Sequence, residues 1–200
     1  MYGTNNEIAY PHIPGYNSIE QHGKGDCMMN ALWLLLPVLL LRYLFLGLLN
    51  RDALKRAAFF PPMAGKEKSA YLIYQITTVF MFIYPYFLKV WTDSPVFMMG
   101  LTVYGLGIIV YTASIFSFAK PGMNGVNQKG LYRVSRNPMY VGYFLYFLGC
   151  VLLTRSIELF ASLILFQISS HWIILSEERW CTEKFGEAYT AYRKKVRRYL

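Results

Sequence analysis

Long apolar runs separated by short basic stretches dominate the chain. Residues 30–49 form a first run of about 20 residues, the length a helix needs to cross a bilayer core. Arg42 interrupts it, so this side chain either snorkels to the interface or faces the protein interior. Residues 50–68 are basic and carry Pro61 and Pro62, which marks them as a connection. A second span is predicted over 69–90, bent near Pro85. A third covers 95–118, bounded by Pro95 and by Lys120-Pro121, and residues 120–137 read as a polar, glycine-containing loop. Two further apolar stretches, 138–153 and 157–175, are split by Thr154-Arg155-Ser156. The first of them, at about 16 residues, is short for a full crossing, so a tight helical hairpin is expected. The tail, 176–200, is amphipathic and basic at Arg193, Lys194, Lys195, Arg197 and Arg198, and suits a helix lying on the membrane surface. The predicted fold is all-α: an integral membrane helical bundle of four or five transmembrane helices with a C-terminal amphipathic segment. Residues 1–29 form a polar N-terminal segment and residues 30–200 the membrane domain.

Composition agrees with this reading. Of the 200 residues, 55% are hydrophobic and 16% charged, and the mean hydropathy is +0.29, too apolar for a soluble domain of this size. The aromatic share of 18% suits interfacial Tyr and Trp belts. The net charge of +9 sits on residues flanking apolar runs, which points to anionic lipid rather than nucleic acid as the partner. By the positive-inside rule the basic loops and the C-terminal tail are cytoplasmic. Residues 1–26 lack the apolar core of a cleavable signal peptide.

Some chemistries find no support. The three cysteines, Cys27, Cys150 and Cys181, are odd in number and widely spaced, so neither a disulfide framework nor a zinc site is implied. Nothing resembles a Ser-His-Asp set, a metal-ligand cluster or a phosphate-binding loop. His12 and His22 lie in polar sequence and read as solvated, and His171 beside Trp172 as a satisfied core or interface histidine.

Three polar clusters sit at or within the predicted spans. The first is GLYRVSRNPMYVG at 130–142. Pro138 suits the first turn of a helix, and Asn137 before it is a good N-cap. Amides at that helix start, with Arg136 alongside, can receive a carboxylate or phosphate; the alternative is a capped membrane helix with snorkelling arginines. The second is Glu177-Glu178, able to bind hydroxyls or a cation, or simply to solvate a helix end. The third is Gly105-Leu106-Gly107, which reads as close helix packing or as room for a flat ligand.

Taken together, GLYRVSRNPMYVG and the later SEERWCTEKFGEAYTAYRKKV resemble the isoprenylcysteine carboxyl methyltransferase family and its phospholipid methyltransferase relatives. The resemblance covers about residues 100–198. Arg136, Pro138, Tyr140 and Gly142 match the family pattern R-H-P-x-Y-x-G. Glu177 and Glu178 match its acid pair, and Phe185, Gly186, Tyr189 and Tyr192 its tail. Gly105 and Gly107 look like the G-x-G of the phospholipid branch. Asn137 stands where the family usually has His; an amide hydrogen-bonds but carries no proton at neutral pH.

The resemblance implies a membrane enzyme that uses S-adenosylmethionine and methylates a membrane lipid or a prenylated, lipid-like acceptor. It implies a cofactor site built from Gly105, Gly107, Gly130, Tyr132, Arg136, Asn137, Pro138, Tyr140, Gly142, Glu177 and Glu178. The cofactor carboxylate would lie near Arg136 and its amino group or ribose near Glu177 or Glu178. No residue is singled out as catalytic. Two other readings stay open: a reductase related to sterol reductases, which share a similar R-x-P-x-Y-x-G region and bind a nicotinamide cofactor, and a non-catalytic membrane protein of the same fold.

Overall fold

The computed structural model describes residues 29–93, 95–120, 122 and 125–200. The readings made for His12, His22, Cys27 and most of the N-terminal segment lie outside these residues.

Among the described residues, six helices order the chain. The first, α1 (Ala31–Leu49), is not uniform. It opens as a 3-10 turn at Ala31–Leu35, becomes α-helical at Leu36–Leu39, widens to a π-helix over Leu40–Phe45, and closes at Leu46–Leu49. Such widened turns are rare and commonly occur at functional sites, and this one carries Arg42. Two asparagines start the first two helices. Asn30 Oδ1 accepts from Leu32 N at 2.8 Å. Asn50 Oδ1 accepts from Asp52 N and Ala53 N at the start of α2 (Arg51–Ala57), at 2.9 and 3.1 Å.

The helix α3 (Lys66–Ile83) tightens into a 3-10 turn at Tyr84–Phe87, where Pro85 had signalled a bend. Beyond it come α4 (Pro95–Ala119) and α5 (Pro138–Thr154). Arg155, at φ 51°, ends α5 in the left-handed region. Ser156 then caps α6 (Ile157–Lys195), its Oγ accepting from Leu159 N at 3.1 Å. The break expected at Thr154-Arg155-Ser156 is therefore present, as a tight turn between two helices.

Packing divides the bundle into two close pairs, α4 with α5 and α3 with α6. The first pair interlocks through small residues, as close contact in lipid demands. A β-carbon on Gly142 would lie 2.8 Å from the Tyr111 backbone, and one on Gly149 would lie 2.5 Å from that of Tyr104. Gly107 presses in turn on the Tyr146 backbone. Tyrosines then meet across the seam with tilted rings, Tyr104 against Tyr146 at 4.9 Å and Tyr111 against Tyr143 at 4.5 Å. The hydroxyls of Tyr104 and Tyr146 both donate to Leu34 O, which ties α1 to this pair.

Among the described residues, four helices, α1, α3, α4 and α6, are long and apolar enough to cross a membrane, and α5 is a shorter apolar helix. Leu48, Ile76, Val79, Ile109 and Ile168 point outward and are more than half exposed. Such surface on a water-soluble monomer would drive association; lipid satisfies it.

The tail departs from expectation. No separate surface helix begins at 176; α6 continues through it. Gly186, at φ 52° and ψ −126°, breaks the helix, and the chain doubles back. Arg198 consequently reaches Glu178, and Tyr199 reaches His171 at 2.8 Å. In a straight helix, residues 20 positions apart would be separated by ~30 Å. The amphipathic pattern records this return: Tyr189 and Tyr192 are buried inward against Val126, while Arg193, Lys194 and Lys195 face outward.

Candidate functional site

A cavity of about 660 Å³ opens between α1, α2, the end of α4, the start of α5 and the turned end of α6. Its size falls in the range of small-molecule and cofactor sites. The polar stretch 130–142 forms one wall because the chain must leave its 3-10 turn at Gly130–Arg133 and enter α5 at Pro138 there. Tyr140 and Tyr143, three residues apart, share one face of the first turns of α5 and line the cavity. Across from them stand Glu177, Glu178, Cys181, Lys184 and Phe185 of α6.

Charge is concentrated at one end. Arg136 Nη2 lies 3.0 Å from Glu178 Oε1, with both side chains buried. Arg198 donates to both oxygens of the same carboxylate, Nε to Oε1 at 3.1 Å and Nη2 to Oε2 at 2.9 Å. These bonds hold the Arg198 pKa above its ordinary value. Arg136 Nε and Nη1, by contrast, are buried without a hydrogen-bond partner, as is Asn127 Oδ1 on the same cavity wall. Unsatisfied buried donors of a charged group are costly, and an anion at this point would satisfy them. Glu177 stands apart from the ion pairs and accepts from the Tyr140 hydroxyl at 3.1 Å. The Tyr132 phenol, packed in the wall, is pushed up in pKa by burial.

The predicted residues separate into two groups. Tyr132, Arg136, Asn137, Tyr140, Glu177 and Glu178 come together around the cavity. Gly105, Gly107, Gly130, Pro138 and Gly142 are not among its lining residues. Gly107 and Gly142 serve the α4–α5 seam, Gly130 seats the 3-10 turn against Ser117, and the space beside Gly105 is open. Pro138 is buried at the first position of α5. Asn137 occupies the N-cap position, but its side chain makes no cap bond; its Nδ2 donates instead to Arg198 O at 3.0 Å. Of the two acids expected beside the ligand's amino group or ribose, Glu178 is engaged by two arginines and Glu177 by the Tyr140 hydroxyl.

Several lining residues escaped the sequence reading. Arg42 faces the interior rather than the interface, donating to Tyr143 Oη at 3.0 Å and Ala57 O at 3.1 Å. Its signal was there, since a charge within a span is costly unless it has a role. Phe59, Phe60, Trp180 and Phe185 supply aromatic walls, and Lys55 and Arg56 add positive charge at the rim; of these, only Phe185 is marked in the sequence, as part of the tail pattern.

The region that builds this wall is also the region with known relatives. Residues 95–188 match the phospholipid methyltransferase family. That stretch contains Arg136, Tyr140, Glu177 and Glu178, and it stops short of Arg198. The phospholipid methyltransferase match is joined by a second likeness: a protein-S-isoprenylcysteine O-methyltransferase of Schizosaccharomyces pombe is 39% identical over 69 residues. This alignment covers 34% of the present chain and 29% of that relative, so the chain matches less than a third of the relative's length. No solved structure matches the chain.

Proposed function

We propose that the protein is an integral membrane methyltransferase that binds S-adenosylmethionine in this cavity and methylates a lipid-like or prenylated acceptor. The observation that carries the reading is the buried guanidinium of Arg136, whose Nε and Nη1 have no partner on a cavity wall within the methyltransferase-like stretch. A carboxylate is the natural complement of such a fork. In this reading Arg136 holds the cofactor carboxylate, Glu177 its amino group, and the aromatic side chains Phe59, Trp180 and Phe185 flank its flat base.

When bound, S-adenosylmethionine supplies an electrophilic methyl group on a sulfonium. The protein's contribution is then alignment and exclusion of water rather than proton transfer. Asn137, tied to the Arg198 carbonyl, is placed for anchoring and not for acid–base work. The basic connections and tail face the cytoplasm in this reading, which gives a water-soluble cofactor access from that side while the acceptor arrives through the bilayer.

Calorimetric titration of the purified protein in nanodiscs tests the assignment. S-adenosylmethionine should bind saturably and NADPH should not. Heat with NADPH alone would move the reading to a reductase, and silence with both would leave a non-catalytic membrane protein.

A further inference from the structure

The last residues of the chain reach the candidate site from outside residues 95–188, the stretch that matches the phospholipid methyltransferase family. Their backbone is fixed by three hydrogen bonds: Arg136 N donates to Arg197 O at 2.9 Å, Asn137 Nδ2 to Arg198 O at 3.0 Å and Ser135 Oγ to Arg198 O at 3.3 Å. This placement aims the Arg198 side chain at Glu178, where it occupies both carboxylate oxygens. Arg136 is consequently left with a single contact to Glu178, through Nη2 at 3.0 Å, and its other two nitrogens go unmet.

Charge balance gives this arrangement a consequence. Arg136 and Glu178 alone would be a neutral buried pair, free to close into the bidentate geometry that such groups prefer. An anion entering the cavity would then meet a pair with no net positive charge, its guanidinium already occupied and a carboxylate beside it, which in a low-dielectric site gives little net attraction. Arg198 changes both facts. It draws Glu178 into its own fork, and it leaves the trio with one positive charge in excess.

We propose that Arg198 is a positioning residue that restricts Glu178 to one contact with the guanidinium of Arg136, so that Nε and Nη1 of Arg136 are left to receive the carboxylate of the cofactor. This inference rests on the cofactor reading above. Arg198 itself makes no contact with the ligand; it acts through Glu178.

Titrations in nanodiscs of neutral lipid test it, using wild type, Arg198→Ala, Arg198→Lys, Glu178→Gln and the Arg198→Ala/Glu178→Gln double variant. Two probes are needed, S-adenosylmethionine and its decarboxylated analogue. Arg198→Ala should weaken S-adenosylmethionine about tenfold or more, with Arg198→Lys between it and wild type. The decarboxylated analogue should bind wild type and Arg198→Ala alike. In the Glu178→Gln background, where no anion competes for Arg136, removing Arg198 should change affinity less than about twofold. Equal losses for both probes, or in both backgrounds, would overturn the proposal in favour of a purely structural tail. No loss on Arg198→Ala would overturn it outright. Where Arg198→Ala fails to keep its thermal transition, Arg198→Gln reads the same quantities. Wild type that binds neither probe marks failure of the cofactor reading itself.

Discussion

The guanidinium of Arg42 donates to the phenolic oxygen of Tyr143 at 3.0 Å, joining the first span to α5 across the candidate site. The same tyrosine oxygen lies 2.9 Å from that of Tyr111, so one cation anchors a short chain of hydroxyls running into the α4–α5 seam. No carboxylate forms an ion pair with Arg42 among the described residues. Hydrogen bonds to hydroxyl and carbonyl, together with the ring of Tyr143 at 5.8 Å, stabilise its charge instead.

Arg42 and Tyr143 should therefore be energetically coupled. In a cycle of Arg42→Ala, Tyr143→Phe and the double variant, unfolding in a fixed detergent should show a coupling of roughly 0.5–3 kcal/mol. Arg42→Lys should fall between wild type and alanine, since an ammonium cannot span both the Tyr143 hydroxyl and the Ala57 carbonyl with the same fork. Strict additivity would mean that the two groups are neighbours without a functional bond.

A second prediction separates the two ends of the ligand. Replacing Arg136 with Ala should weaken S-adenosylmethionine binding by about 1–3 kcal/mol, the usual size of a lost charged hydrogen-bond partner. The decarboxylated analogue should lose no further affinity in that variant, because the group Arg136 holds is already gone. Glu177→Gln keeps an acceptor for the Tyr140 hydroxyl but removes the charge, so it should weaken both ligands by a similar factor. Titration of the two ligands against the two variants decides the matter. If Arg136→Ala weakened both ligands equally, Arg136 would not be the group that holds the carboxylate.

The spans and the polar entrance to α5 were readable because each rests on a local signal. Hydropathy over about 20 residues marks a crossing, and Arg136-Asn137-Pro138 at the start of an apolar run marks an interrupted interface. Which acid would stay available was not readable. Glu177 and Glu178 are adjacent and alike in sequence; their tertiary partners distinguish them, Tyr140 for Glu177, and for Glu178 Arg136 together with Arg198, which returns from 20 residues further on. That return depends on the backbone of Gly186, whose positive φ is invisible in a stretch that otherwise continues a helical pattern. Arg42 was visible as an anomaly but not as a cavity residue, since helical periodicity says nothing about which neighbour a side chain will meet.

The glycines give a third prediction, one that sets packing against ligand binding. Gly107→Ala and Gly149→Ala each put a methyl group into the backbone of the facing helix. Overpacking of this kind costs typically ~1–3 kcal/mol, and more where backbone cannot yield. Both variants should lower the thermal midpoint in detergent. Gly105→Ala meets nothing within 4 Å and should leave both the midpoint and S-adenosylmethionine affinity unchanged. A stable Gly105→Ala protein that no longer binds the cofactor would restore Gly105 to the binding site and contradict the packing account.

The last prediction concerns the aromatic wall. Arg179 grips Glu67 with both ends of its guanidinium, Nη1 to Oε1 at 2.6 Å and Nη2 to Oε2 at 2.8 Å, and also donates to Pro62 O at 3.3 Å. Glu67 in turn accepts from Ala64 N at 2.9 Å. These bonds pin the connection between α2 and α3 against α6, and that connection carries Phe59, Phe60 and Pro61 of the cavity lining. Phe59 rests on Trp180, the residue next to Arg179, at 5.1 Å. Breaking the clamp with Glu67→Gln or Arg179→Met should release the wall while leaving Arg136 and Glu178 in place. Limited proteolysis should then cut between residues 58 and 65 faster than in wild type. S-adenosylmethionine affinity should fall, and the charge-exchanged pair Glu67→Arg/Arg179→Glu should recover part of both properties. Cleavage and affinity that ignore both single variants would show that the wall holds by aromatic packing alone.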